Sequence, residues 1–182
     1  NLNTPQFPKW SLSTFIIAGR DENFDEWSPG YIVLSQSNLS FRPTAKIRAD
    51  LSYVDQRTYR PSDHSAVNLQ RIPRLKLEYQ LSRPVFIRFV GQYVSFERAA
   101  LIDDSRTGDP IYFRNGNTYT RANPVSRNSL RGDFLFSYQP TPGTVLFAGY
   151  GSSLSDAEAF SFNNVNRTSD GFFVKFSYLF RM

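Results

Sequence analysis

The only histidine of this 182-residue chain, His64, stands between Asp63 and Ser65 in RPSDHSA. A nucleophile, a base and an orienting carboxylate use those residue types, but they work only when the three side chains converge in space. Adjacency in sequence does not supply that geometry, so the segment reads as a solvated polar loop and no catalytic residue is expected. The carboxylates of DENFDE (21–26) and DDSRTGD (103–109) could offer oxygen ligands to Ca²⁺. Neither has the regular ligand spacing closed by a terminal Glu, so both read as exposed acidic loops and no metal is expected. RGD at 131–133 matches an adhesion tripeptide by letters alone. NGNTY and GYGSS lack the strand-loop-helix context of a phosphate loop, and no cofactor is expected. Cysteine is absent, which excludes disulfides and thiolate metal sites.

Nine other charged residues are more regular. Arg48 and Asp50, then Arg74, Lys76 and Glu78, then Arg88, then Arg131 and Asp133, then Lys175 all fall where polar and apolar residues alternate. Period two marks a strand, because successive side chains on a pleated backbone point to opposite faces. Against these charges stand Ile47, Ala49, Leu51 and Tyr53; Leu75, Leu77, Tyr79 and Leu81; Val85, Ile87, Phe89 and Tyr93; and Leu130, Phe134, Phe136 and Tyr138. Phe86, Val90 and Val94 interrupt the polar side of one segment. GFFVKFSYLF (171–180) sets Phe172, Val174, Phe176, Tyr178 and Phe180 against Phe173, Lys175, Ser177 and Leu179. Earlier in the chain the alternation is less regular, and Trp10, Leu12, Ile16, Tyr31, Val33, Leu39 and Phe41 are assigned to the apolar face.

About eight such segments are expected, near 8–19, 31–42, 46–59, 72–81, 85–96, 129–139, 144–151 and 171–181, and none has a helical period. RPTAK, LSRPV and QPTPGT are tight connections. RDENFDEWSPG, RPSDHSAVNLQR, 97–128 and 152–170 are long and polar. In an up-and-down meander this alternation gathers the short turns at one end and the long loops at the other, as in outer-membrane barrels. Composition agrees, since 17 Phe and 10 Tyr coexist with a mean hydropathy of -0.41, so rings are interleaved with polar residues. There is no apolar run long enough for a spanning helix, but strands of about 9–11 residues would suffice. The net charge of +5 is scattered along the alternating segments, which argues against nucleic acid as a partner. The start NLNTPQFPKW, without an initiator Met or leader, reads as a mature or trimmed chain.

The ending RTSDGFFVKFSYLFRM resembles the C-terminal recognition strand of Gram-negative outer-membrane proteins, with an aromatic at every second residue. Met182 stands where that pattern ends in Phe and keeps the parity of Phe180. LRGDFLFSYQPTPGTVLFAGYGSSL with RTSDGFFVKFSYLF is similar to the end of a family of large, poorly characterised outer-membrane barrels. In that family a carbohydrate-binding-module-like domain of the family nine type precedes the barrel. The resemblance covers 129–182, and the remainder shares only the pattern. It implies residence in the cell outer membrane. It also implies that the barrel-assembly machinery reads Phe172, Val174, Phe176, Tyr178 and Phe180 as an assembly signal. The chain would then be the last eight strands of a larger barrel, with further strands or an N-terminal domain outside it. Nothing here matches the sugar-binding domain, so sugar binding is not implied.

The expected architecture is therefore all-β, an antiparallel up-and-down transmembrane β-barrel in which residues 1–182 form one domain or a barrel fragment. Lipid meets the apolar face, and the nine charged residues line the interior. Eight strands closing alone would fill that interior with ion-paired side chains. In a larger barrel the same residues would line a channel whose surplus of Arg and Lys favours anions. The expected role is transport, anchoring or scaffolding, without enzymatic activity. One alternative is a small outer-membrane enzyme acting on lipid or peptide at the rim, starting from His64. The other is a soluble β-barrel binding protein, with the apolar face packed inward.

Overall fold

The structure, a computed structural model, describes residues 1–179. Its main element is one nine-stranded antiparallel sheet. Eight long strands carry it: β2 (Trp10–Asn23), β3 (Ser28–Thr44), β4 (Ile47–Tyr59), β5 (Ala66–Gln80), β6 (Val85–Arg98), β9 (Val125–Thr141), β10 (Thr144–Asp156) and β11 (Asn166–Tyr178). The short β1 (Leu2–Asn3) pairs with Ser13 and Thr14 of β2. A separate hairpin of β7 (Tyr112–Asn115) and β8 (Thr118–Arg121) sits within the β6–β9 connection. No helix occurs among the described residues. The order β1-β2-β3-β4-β5-β6-β9-β10-β11 follows the chain, so the expected meander is present.

The expected closure into a barrel is not. β1 and β11 are the two edges of an open sheet. Beyond Thr14, β2 pairs only with β3, and β11 pairs only with β10. The loop lengths also need correction. RDENFDEWSPG is mostly strand, reduced to a turn at 24–27, because the β2–β3 ladder continues to Asn23↔Ser28. β5 begins at Ala66, where Ile72 was expected. The connections at 60–65, 99–124 and 157–165 still share one end, opposite the turns at 45–46, 81–84 and 142–143.

The strands are staggered as tilted strands are. Ala49, Leu77, Phe89, Phe134 and Tyr150 form one register row. Ala49 is three residues past its turn and Tyr150 seven past its own, four strands later. One residue per strand step is roughly 3.3 Å along for 4.8 Å across, a tilt of about 35°.

Registers assign the faces. Trp10, Leu12, Ile16, Tyr31, Val33, Leu39 and Phe41 share the face of Leu51, Leu77, Phe89 and Phe134, as expected. One register row across all eight long strands reads Trp10, Phe41, Ala49, Leu77, Phe89, Phe134, Tyr150, Phe172. Its large side chains are 39% to 76% exposed. The buried hydrophobic residues are only Val67, Tyr93, Leu101 and Ala122 among those described, and three of them form a small cluster with Ile111 at the long-loop end. Apart from Tyr93, which lies under Phe160 and Phe162 of the 157–165 connection, the apolar face of the sheet is therefore uncovered.

Candidate functional site

All nine charged residues singled out by alternation lie on the opposite, polar face. Arg48 pairs in register with Glu78, Asp50 with Lys76, and Ser52 with Arg74. Glu78 continues to Arg88, and Arg74 to Gln92. Gln92 leads to Arg131, and Val90 to Asp133. Lys175 joins the face through Phe147, which stands opposite Ser137.

Each carboxylate of the set is neutralised by a cation two residues along its own strand. Arg48 reaches Asp50 at 2.9 Å, Lys76 reaches Glu78 at 2.9 Å, and Arg131 reaches Asp133 at 3.0 Å. Residues i and i+2 of a strand share a face about 7 Å apart, a gap that a long basic side chain spans easily. The Ser40 hydroxyl adds a hydrogen bond to Asp50 at 2.7 Å. Among the described residues no ion pair or side-chain hydrogen bond engages Arg74, Arg88 or Lys175. Three carboxylates are thus cancelled locally, and three cations are left over.

The polar face is hollowed. A depression of about 690 Å³ is lined by Arg74, Lys76, Arg88, Arg131, Asp133 and Phe173, among others. A second, of about 450 Å³, shares Arg74 and Lys76 and extends to Asp50 and Ser40. Glycines explain the first. Gly149, Gly151 and Gly171 lie on this face of β10 and β11, where any side chain would fill the trough. A Cβ on Gly149 would overlap the Phe173 ring, and one on Gly151 would sit 2.6 Å from Asp133 Oδ1.

At the long-loop end the structure brings together residues that the sequence did not connect. Asp25 and Glu26, expected in an exposed acidic loop, fold back onto the sheet. Glu26 is buried and pairs with Arg60, whose Nε donates to it at 3.0 Å and whose Nη2 donates to it as well. Glu26 also accepts from Asn23 Nδ2 at 2.9 Å and from the Ile102 amide at 3.0 Å. Arg60 donates onward to the Ala100 carbonyl at 2.9 Å and to Ser65 Oγ at 2.8 Å. Asp25 accepts from Asn68 at 2.8 Å and lies 3.6 Å from Arg98. This latch ties the 24–27 turn to the 60–65 and 99–124 connections.

His64 belongs to that rim. Its backbone takes a left-handed φ of 59°, and its ring centroid is 6.0 Å from that of Tyr31. Asp63 Oδ1 accepts from the Ser65 amide at 2.9 Å, while Ser65 Oγ accepts from Arg60. The Ser65 hydroxyl and amide together hold the Asp63 carboxyl below its ordinary pKa. Each of these neighbours is thus engaged locally. Among the described residues no group of three carboxylates or imidazoles converges to hold a metal ion.

Phe172, Val174, Phe176 and Tyr178 alternate along the apolar face of β11, all exposed. Phe180 and Met182 lie outside the described residues. No protein-family model, no curated protein and no solved structure matches the chain.

Proposed function

We propose that the chain is wall of an outer-membrane β-barrel, with lipid on its apolar face, an aqueous interior on its polar face, and a role in solute transport. The carrying observation is the exposed apolar row from Trp10 to Phe172, in a chain that buries so few hydrophobic residues. Water does not tolerate a continuous apolar surface of this extent, whereas hydrocarbon requires one. Tyr79, Tyr138 and Tyr178 border the band toward the short turns. Toward the loops the same face turns polar, with Arg57–Asp55 at 2.6 Å and Arg71–Glu97 at 2.9 Å. Aromatic borders and a charged collar suit the two edges of a bilayer. A soluble barrel would curl toward its apolar side, but here hollows of about 690 Å³ and 450 Å³ open on the polar side.

The open edges support the participation of further strands, because unpaired backbone is not stable in hydrocarbon. On this reading the barrel-assembly machinery is the partner that engages β11, and its alternating aromatics are the assembly signal. The test is fractionation of the expressed protein. It is expected in outer membranes, resistant to carbonate, and shifted in detergent-gel mobility by boiling. Quantitative release by carbonate or high salt would refute the proposal.

A further inference from the structure

We propose that the glycine-floored hollow on the polar face binds a small oxyanion, a carboxylate or phosphate, carried on a body with an apolar face. The inference rests on the reading of that face as water-facing, and it adds a ligand class and the residues that select it.

The charge distribution locates the anion. Four cations line the hollow, but Lys76 is engaged by Glu78 and Arg131 by Asp133. Arg74 on β5 and Arg88 on β6 keep their guanidinium donors unspent. Arg88 stands four residues from Gln92, the register partner of Arg74, a separation of roughly 13 Å along the strands. Two long side chains leaning toward each other close such a gap from both ends. Between them lies the row of Lys76 and Val90, which continues to Asp50 on one side and to Asp133 on the other, carboxylates already ion-paired with Arg48 and Arg131 of their own strands. A forked guanidinium matches the oxygens of a carboxylate or phosphate, and two of them enclose one oxyanion.

The apolar half of the ligand is located by one register row. Arg88 pairs with Leu135, Leu135 with Gly149, and Gly149 with Phe173. Because Gly149 has no side chain, the Phe173 ring lies over it, directed along the row toward Leu135 and Arg88. The ring is 53% exposed, so a face remains for a ligand. Gly151 and Gly171 keep the adjoining floor open. A solute with its anionic end between Arg74 and Arg88 would rest its apolar side on Leu135 and Phe173.

The experiment titrates the full chain, folded in detergent micelles, with phenyl phosphate and with inorganic phosphate, followed by calorimetry. Phenyl phosphate should bind more tightly, and Arg74→Gln with Arg88→Gln should weaken both by about tenfold. Phe173→Ala should remove only the preference for the phenyl compound. Each single Gln variant, by about threefold, serves if the double variant does not fold. Unchanged affinity in these variants, or equal binding of phenylammonium, would overturn the site. Conductance in planar bilayers separates the two proposals. A chain that forms no channel but shows this titration keeps the site and loses the transport role. A conducting channel with a flat titration keeps transport and loses the site.

Discussion

Phe134 sits mid-row on β9, flanked in register by Phe89 and Tyr150, and is 44% exposed. Taking a buried aromatic side chain as on the order of 200 Å², that leaves about 90 Å² to meet solvent. Transfer of this area into hydrocarbon contributes about 2 kcal/mol. Phe134→Arg forfeits that term and places a charge toward mid-bilayer, which costs about 2–4 kcal/mol in such barrels. A total of about 4–6 kcal/mol is therefore expected, enough to abolish folding of a marginal barrel. Phe134→Leu keeps an apolar side chain against mobile lipid chains, which leave no fixed cavity, and should cost less than about 1 kcal/mol. Arg88→Gln, on the other face, breaks no ion pair and should cost as little. The assay is urea-dependent folding into phospholipid vesicles, read by tryptophan fluorescence and heat-modifiable gel mobility. If Phe134→Leu proves as damaging as Phe134→Arg, the apolar face packs against protein, and the assignment of lipid to it fails.

Two further outcomes probe the rim. Glu26→Gln leaves the buried Arg60 guanidinium without its counter-charge and should destabilise the latch by about 3–5 kcal/mol. The 99–124 segment should then become protease-sensitive and the Ile102 amide should lose exchange protection, while the sheet remains intact. His64→Ala should change stability by less than about 1 kcal/mol and leave any lipid or peptide hydrolysis by the purified protein unchanged. Loss of a measurable hydrolysis with intact folding would restore the rim enzyme.

The sheet was legible wherever one of its faces is apolar and the other polar. From Ile47 to Tyr53 and from Leu130 to Tyr138, alternation followed the pleat, so segment, face and partner charges could all be read. Above that band the signal disappears although the hydrogen-bond ladder continues. Asp55 and Arg57 occupy the same face as Leu51, while Val54 and Ile72 lie on the polar one. Where both faces meet water or loop, nothing forces alternation, and for that reason Asp21–Asn23 and Ala66–Arg71 did not read as strand. The latch was invisible for a different reason. Glu26 and Arg60 are 34 residues apart, and their meeting depends on how a turn folds back, which no local period encodes. The intrastrand pairs, by contrast, follow from spacing alone, since Arg48 and Asp50 share a face by parity.

On the proposed barrel reading, the hollow bears on how many strands close the wall. If β2 and β11 paired with each other, eight strands would leave an interior only wide enough to be filled by side chains. Such an interior favours bulky residues and complete pairing of its charges, because unpaired ions there are costly. The polar face of this sheet has neither property. Gly149 withholds a side chain beneath the Phe173 ring, and above Gly151 and Gly171 a volume of about 690 Å³ opens. Arg74 and Arg88 stand there without carboxylate partners among the described residues, an arrangement that is inexpensive only in contact with water. A wider circumference, with strands supplied from outside these residues, meets both conditions and also occupies the open edges of β2 and β11. Eight-strand closure would occupy the edges alone.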